Sequence, residues 1–273
     1  MKLKKWVISH CFKLLFLLLI PVLIFSKNIL SYLNTQLTLM KNKKSHPMKI
    51  VVFDLDETIG YFTEVSIFWD ALENFYGNNL FNDKFFEMLD VFPEVFRPNI
   101  ITILDTLNKK KMKKNCSKIF IYTNNQGPKS WVNMISEYVN LKIGYNVFDH
   151  IIAAYKIRGK QIEPKRTSHD KSVTDLVRCT NIPSNTEICF IDDLYHPLMD
   201  KDNVYYINIK PYRVSIPFEE MVNRYYDAVL AKTTIKKNDF VNKMISYMKQ
   251  YNYMVVNKSE EEKNVDIIVS KKL

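Results

Sequence analysis

The carboxylates of Asp54 and Asp56 follow an apolar segment that begins at Lys49, and a single leucine separates them. In an extended chain, side chains two positions apart leave on the same side, so both carboxylates can reach one small volume beyond a strand end. Two acids held that close repel unless a positive group lies between them. Hard cations take carboxylate oxygens, and phosphate chemistry needs such a cation. The pair indicates magnesium-dependent phosphate chemistry, with a solvated turn as the alternative.

Two further apolar runs end in polar side chains of the same kind. Thr123–Asn125 follows the run 118–122, and Asp192 and Asp193 close the run 187–191. In an open α/β sheet, ligands bind in the crevice at the carboxyl ends of the strands. We therefore expect these groups to face the same crevice as the first acidic pair.

A lysine is expected to complete this set. Ser172 and Asp175 match a capping box, which predicts a helix start and places Lys171 at its mouth. Lys165 could serve instead, but it follows Pro164 in a stretch that predicts irregular structure. We favour Lys171, and the neighbouring cations are interpreted as solvated charges.

Apolar runs alternate with helical periodicity along most of the chain, and this alternation predicts an α/β fold with a parallel sheet covered by helices on both faces. Strands are predicted near 49–53, 118–122, 150–154, 188–191 and 204–209, and helices near 98–110, 129–141, 172–179 and 217–231. Residues 48–231 are interpreted as the main domain.

Residues 59–96 carry aromatic residues at helical spacing, which predicts a small helical insertion whose aromatics are core. The segment 232–273 predicts a helix near 239–251 and short strands at 253–256 and 266–269.

The ordered motifs, from the Asp54-Leu-Asp-Glu-Thr58 segment to Asp193, resemble those of the haloacid dehalogenase-like (HAD) phosphatase superfamily. The residues of the first motif are similar to those of the carboxy-terminal-domain phosphatase group. The Arg97-Pro98 pair before the second strand is also similar to that group. Uncharacterised HAD-like proteins of large DNA viruses also resemble this chain. The resemblance covers residues 49–209. It implies a Rossmann-like HAD fold in which the insertion 59–96 occupies the position of a cap.

The resemblance also implies roles for the catalytic residues. Asp54 would attack phosphorus to form an aspartyl phosphate, and Asp56 would protonate the leaving oxygen and later accept a proton from water. Thr123, Asn124 and Lys171 would bind the phosphoryl oxygens. Thr58 is interpreted mainly as a hydroxyl that stabilises the turn.

The same resemblance implies a Mg²⁺ site. Asp54, the backbone carbonyl of Asp56, and Asp193 would hold the ion, and Asp192 would be a further ligand or a partner of one. Five histidines without zinc spacing and only five glycines leave no support for a zinc site or a glycine-rich phosphate loop.

Charge divides the chain into a leader and a nearly balanced body. Residues 1–47 contain eight lysines and no acid, whereas the rest carries 31 basic and 29 acidic residues. A nucleic-acid partner is therefore not favoured by net charge. The apolar run 14–25 is shorter than the ~20 residues that span a bilayer. We expect residues 1–47 to be an uncleaved membrane anchor with a cytosol-facing domain, because the four cysteines suggest reduced thiols. The alternative is a start at Met48 and a soluble cytoplasmic protein.

The hypothesis from sequence is a Mg²⁺-dependent phosphomonoester hydrolase. Its substrate is a phosphoprotein or a small phosphate ester, between which the residues do not decide. Two alternatives stay open. The segment Thr123–Gly127 is similar to a motif of polynucleotide 3′-phosphatases, with one Asn inserted, and a HAD-fold binding module without turnover is the other.

Overall fold

A computed structural model describes residues 47–77, 82–251, 255 and 258–273, together with residues 29 and 31. Residues 47–273 form one compact unit. The apolar run 14–25, and with it the predicted anchor, lies outside the described residues. Within the described residues, no helix has the length and apolar character needed to cross a membrane.

The core of this unit is a five-stranded parallel sheet in the order β3-β2-β1-β6-β7. Its strands are β1 (Lys49–Phe53), β2 (Lys118–Tyr122), β3 (His150–Ile152), β6 (Glu187–Asp192) and β7 (Val204–Asn208), and β4 (Lys156–Ile157) pairs with β5 (Lys160–Gln161) in a separate antiparallel hairpin. The central strand β1 is apolar at four successive positions because both of its faces are covered.

Helices cover both faces of the sheet, so the predicted α/β fold is confirmed. The helices are α1 (Thr63–Tyr76), α2 (Asn82–Val91), α3 (Ile100–Met112), α4 (Lys129–Ile143), α5 (Val173–Thr180), α6 (Phe218–Tyr225), α7 (Lys237–Met248) and α8 (Glu260–Lys271). Val51 and Phe53 face the larger core, which also contains residues of α1 to α4, α6 and α7. Ile50 and Val52 face a smaller core closed by α5. This alternation along β1 follows from the two-residue period of a strand.

The described part of the predicted insertion 59–96 is mainly helical, and the aromatic residues of its two helices are core as expected. Phe85 of α2 lies edge-on to Trp69 of α1 and to Trp131 of α4, with ring centroids 5.1 Å apart in both pairs. Phe68 contacts Tyr225 of α6 at 5.2 Å. The two helices therefore share one core with the sheet, and Tyr61 and Thr63, just before and at the start of α1, reach the crevice at the strand ends.

The C-terminal region differs from the prediction in one element. The helix expected near 239–251 is present as α7, and Phe240 anchors it against Phe75, with ring centroids 5.0 Å apart. The strand predicted at 266–269 is wrong, because these residues belong to α8. Ser259 forms a complete capping box with Glu262 at the start of this helix, and this local signal outweighs the β-branched run. The other predicted strand, 253–256, lies almost entirely outside the described residues.

Candidate active site

The carboxyl ends of β1, β2 and β6 lie side by side and bring the predicted polar segments together. Phe53 is in register with Ile121 of β2 and with Ile191 of β6. The backbone N–H of Asp54 continues this ladder by donating to the Ile191 carbonyl at 2.9 Å. Side chains that follow these three strands therefore share one edge of the sheet.

The turn after β1 is held by Thr58 and Arg97. The hydroxyl of Thr58 accepts a hydrogen bond from the backbone N–H of Asp193 at 3.1 Å, which joins the acidic turns after β1 and β6. The Thr58 hydroxyl therefore bonds the neighbouring loop, and a role within its own turn stays a prediction. Arg97 is buried, and its guanidinium donates to the carbonyl oxygens of Thr58 at 2.6 Å and of Lys210 at 2.9 Å. A fixed turn limits the positions that the two acids can adopt.

Lys171 lies between two carboxylates. Its Nζ donates to Asp54 Oδ1 and, at 2.7 Å, to Asp192 Oδ2. All three side chains are less than one tenth exposed. Lys165, the alternative that the sequence left open, is exposed to solvent. The structure therefore places Lys171, and not Lys165, at the acidic pairs.

Lys171 is positioned by the start of α5, although the predicted capping box is only half formed. Ser172 Oγ accepts from the backbone N–H of Asp175 at 3.1 Å, as expected. In a complete capping box the Asp175 carboxylate would accept from the Ser172 backbone N–H. Here that N–H donates instead to the Tyr122 hydroxyl at 3.2 Å. The carboxylate of Asp175 accepts instead from the Thr167 backbone N–H at 2.8 Å. Asp175 thus stabilises the loop that precedes α5, and Tyr122 fixes Ser172, the residue next to Lys171.

The turn after β2 contains a residue to which the sequence assigned no role. Asn125 Nδ2 donates to Asp56 Oδ2 at 2.9 Å and so orients the second carboxylate. Thr123 is fully buried, and its hydroxyl accepts from the Asn125 backbone N–H at 3.0 Å. Asn124 lines the crevice, whereas Thr123 lies behind the lining. In this arrangement Thr123 shapes the turn that carries the two amides.

Arg166 is a buried residue that holds two loops of the site together, although the sequence grouped it with solvated cations. Its guanidinium donates to the carbonyl oxygens of Thr123 at 3.0 Å and Ala153 at 2.9 Å, to Asn124 Oδ1 at 2.8 Å, and to the His169 carbonyl at 2.9 Å. It therefore ties the turn after β2 to the loop that precedes Lys171. No local pattern around Arg166 separates it from its exposed neighbours.

The electrostatics of the four acids differ. Burial, together with Asp192 and Asp56, raises the pKa of Asp54 against the opposing effect of Lys171. Burial also raises the pKa of Asp56, although Asn125 stabilises its charged form. Burial, Asp192 and Glu57 raise the pKa of Asp193 to about 6. Burial alone would raise the pKa of Asp192 as well, but His196 and Lys171 hold it below its ordinary value.

His196 is a further residue of the site. Its Nε2 lies 3.4 Å from Asp192 Oδ2 without forming a hydrogen bond of good geometry. It lines the crevice beside Leu194, whose backbone N–H donates to Asp192 Oδ1 at 2.9 Å. Leu194 thus holds the Asp192 oxygen that Lys171 leaves free, whereas His196 lies near the same oxygen as Lys171.

Asp54, Asp192 and Asp193 fit the requirements of a hard cation. One carboxylate oxygen from each of them lies within 4.8 Å of the other two. The Asp56 carboxylate, held by Asn125, is outside this cluster, so that residue has only its backbone carbonyl to offer, as the resemblance implied. One lysine faces several acids here, and a divalent cation would offset the remaining negative charge.

The crevice has a volume of about 380 Å³. The predicted site residues in its lining are Asp54, Asp56, Asn124, Lys171, Asp192 and Asp193. Tyr61 and Thr63 of the insertion contribute one wall. The insertion therefore meets the crevice at its rim, and its action as a cap stays a prediction.

A scan of protein-family models, a search of curated proteins and a search of solved structures each found nothing similar. The chemical interpretation therefore depends on the geometry and electrostatics of the crevice.

The raised pKa of Asp193 predicts a pH-dependent effect of Asp193→Asn on the free energy of unfolding. A carboxyl group whose folded pKa is about 6, above its ordinary 3.8, favours the folded state at low pH. That contribution is lost as the pH rises through 6. In EDTA, Asp193→Asn should therefore match wild type near pH 4 and exceed it by about 1 kcal/mol at pH 7.5, after allowance for solvent screening.

Thermal unfolding with and without millimolar Mg²⁺ checks this prediction. Mg²⁺ should raise the Tm of wild type at pH 7.5 and leave that of Asp193→Asn unchanged, since the variant lacks a charged ligand. Asp202→Asn, at an exposed acid before β7, is the matched control and should behave as wild type. Equal Mg²⁺ stabilisation of wild type and Asp193→Asn would contradict the assigned cation site.

Proposed function

We propose that this protein is a Mg²⁺-dependent phosphomonoester hydrolase of the HAD type that acts through an aspartyl-phosphate intermediate. The observation that carries the proposal is the Lys171 ammonium between Asp54 and Asp192 at the carboxyl edge of a parallel sheet. This arrangement provides a nucleophile, a fixed positive charge and a carboxylate cluster in one crevice. The four motifs of the resemblance supply the same residues in the same order.

Asp54 is the nucleophile in this proposal. Its contact with Lys171 restricts rotation of the carboxylate, so one oxygen attacks phosphorus from a fixed position. The bond from phosphorus to the leaving oxygen breaks as the Asp54 oxygen forms its bond. Charge that develops on the phosphoryl oxygens is neutralised by Lys171 Nζ and by amide donors of the turn after β2.

Asp56 is the general acid and base. A leaving alkoxide needs a proton, and burial raises the pKa of Asp56 toward the range where a carboxyl group can deliver one. Asn125 holds the carboxylate in one orientation. In the second step, Asp56 accepts a proton from the water that attacks the aspartyl phosphate, which releases inorganic phosphate and restores Asp54.

Asp54, Asp193 and the carbonyl of Asp56 would hold Mg²⁺, with Asp192 as a further ligand or a partner. A bound Mg²⁺ supplies charge neutralisation for the carboxylates and for the phosphoryl group. The oxygen cluster supports a hard cation of this kind without distinguishing Mg²⁺ from others. Burial raises the pKa of Asp54 and so favours its neutral form. A cation held at this position would favour the charged, nucleophilic form instead.

A polynucleotide 3′-phosphatase is a second candidate. One observation favours it: Gln126 of the Thr123–Gly127 turn is exposed at the crevice lining, where it could contact a substrate beyond the phosphoryl group. A binding module without turnover is the third. Both predict results that differ from the main proposal in one experiment.

The experiment is a phosphate-release screen of the purified full chain with Mg²⁺ and, in parallel, with EDTA. The substrates are p-nitrophenyl phosphate, phosphopeptides, sugar phosphates and a 3′-phosphorylated oligonucleotide. We expect Mg²⁺-dependent release from the aryl phosphate and from at least one natural class. Release from the oligonucleotide alone would favour the second candidate. No release from any substrate, with Mg²⁺ still raising the Tm, would favour the binding module.

A further inference from the structure

We infer that the hairpin β4–β5 recognises a second phosphate group on the substrate, beside the one that is hydrolysed. The inference deepens the proposed function and rests on it. The hairpin and the loop that follows it form a basic segment that leads into Lys171. Residues 155–171 contain six basic and two acidic residues.

The six basic residues of this segment are half-buried Lys156, whose ammonium lies 4.8 Å from the centroid of the Tyr155 ring, and two larger groups. Arg166 and Lys171 are buried and bonded within the site. Arg158, Lys160 and Lys165 are exposed and form no ion pair with any residue that the structure describes. Of the acids in the segment, Glu163 is buried and Asp170 is exposed. The three exposed cations therefore keep an excess positive charge that an anionic ligand could neutralise.

The hairpin projects this charge on a defined turn. Ile157 pairs with Lys160 across a two-residue connection, Arg158-Gly159. Both connecting residues have positive φ, 49° and 81°, as a type I′ turn requires. Arginine at the first of these positions is unusual because its Cβ disfavours the left-handed region. The turn nevertheless holds a guanidinium at the tip, where it is a bidentate donor suited to phosphate.

The base of the hairpin is fixed to the active site. Tyr155 precedes β4, and its ring lies edge-on to the His169 imidazole at a centroid distance of 5.4 Å. The carbonyl of His169 accepts from Arg166, which also bonds Asn124 in the crevice lining. Gln161 of β5 donates to the Pro164 carbonyl at 3.2 Å. These contacts fix the base of the hairpin beside the loop that leads to Lys171.

Recognition of a second phosphate follows from this geometry. A substrate with one phosphate fills the crevice and leaves the hairpin unengaged. A substrate with another phosphate a short distance away also satisfies the exposed cations, and binding there adds affinity without changing the reacting bond. Two sources share this chemistry: the phosphodiester next to the end of an oligonucleotide, and the other phosphate of a small bisphosphate.

The test compares the full chain with Arg158→Gln/Lys160→Gln/Lys165→Gln, a variant of three exposed positions outside the crevice. Its matched control is Lys110→Gln/Lys113→Gln/Lys114→Gln, which removes the same charge from exposed positions. These lysines lie at the end of α3, just before β2 begins, and therefore at the edge of the sheet opposite the crevice. Steady-state kinetics are measured on p-nitrophenyl phosphate, a sugar bisphosphate, a 3′-phosphorylated oligonucleotide and a singly phosphorylated peptide, at 50 and 200 mM salt.

We expect the hairpin variant to raise KM about tenfold for the oligonucleotide, the bisphosphate or both, with kcat unchanged, because uniform binding is lost. The increase in KM with salt should also become smaller, since fewer phosphate contacts remain. Whichever of the two substrates responds identifies the source of the second phosphate. KM for the aryl phosphate and the peptide, and all constants of the control variant, should stay as in wild type.

Three outcomes would overturn the inference while leaving the phosphatase proposal intact. In the first, the wild type hydrolyses the aryl phosphate but neither the oligonucleotide nor the bisphosphate. In the second and third, KM for these substrates is unchanged in the hairpin variant, or it rises equally in the control variant. Failure of the wild type to hydrolyse any phosphate ester would instead overturn the proposed function itself.

Discussion

Asp54→Asn is expected to lower kcat for p-nitrophenyl phosphate by at least ~10³, because an amide cannot attack phosphorus and is a poorer ligand for a divalent cation. The fold should be retained. The change removes a buried carboxyl group whose charged form is disfavoured by burial, and Lys171 keeps its bond to Asp192. Circular dichroism and thermal unfolding in EDTA check that the variant is folded before its kinetics are measured.

Asp56→Asn serves as the companion variant for this prediction. It keeps the nucleophile but lacks the group that activates water, so an aspartyl phosphate should accumulate from an activated aryl ester. Acid quench followed by hydroxylamine, which cleaves acyl phosphates, measures the intermediate. Asp54→Asn should form none. Near-wild-type turnover by Asp54→Asn would exclude the covalent mechanism.

Lys171→Ala is expected to have the second large effect, on both turnover and the free energy of unfolding. Loss of one preorganised donor to the phosphoryl oxygens should raise the barrier by about 2 to 4 kcal/mol, or roughly 30- to 1,000-fold in kcat. The same change leaves Asp54 and Asp192 buried without their cation. Breaking a buried pair in this way costs about 3 to 5 kcal/mol of stability.

The two effects can be separated by experiment. Lys171→Met retains most of the volume and removes the charge, so it tests turnover in a better packed site. Mg²⁺ should recover part of the stability of either variant, because the cation offsets the charge of the carboxylates. The kcat, which is measured with Mg²⁺ throughout, should stay low because the Lys171 ammonium no longer reaches the phosphoryl oxygens. Lys165→Ala, at an exposed position, is the control and should leave kcat for p-nitrophenyl phosphate and the free energy of unfolding unchanged. A large loss in Lys165→Ala with little loss in Lys171→Ala would transfer the role to Lys165.

Local patterns in the sequence were enough to predict the sheet and most of its helices. The apolar runs before Asp54, Thr123 and Asp192 are each buried strands, since a strand covered on both faces must be apolar at successive positions. The same reasoning failed for 266–269, where Ser259 and Glu262 cap a helix. There the capping signal was also local, and it was missed because the β-branched residues were given more weight.

The candidate site was predictable to the extent that its residues follow strands or begin a helix. Asp54, Asp56, Asp192, Asp193 and Lys171 could be placed at one edge because parallel strands present their carboxyl ends together. The sequence alone did not decide between Lys171 and Lys165. Burial decides it, because it gives Lys171 two carboxylate partners and leaves Lys165 in solvent.

By itself, then, the sequence determined the five strands of the parallel sheet, the acids that follow β1 and end β6, and the presence of helices on both faces. Only the tertiary structure decided the partners: Asn125 for Asp56, Arg166 for Asn124, and Arg97 for the Thr58 carbonyl. The physical reason is distance along the chain. Strand and helix signals act between residues a few positions apart, whereas these bonds join residues 39 to 69 positions apart and form only when the packing of the helices and loops brings them together.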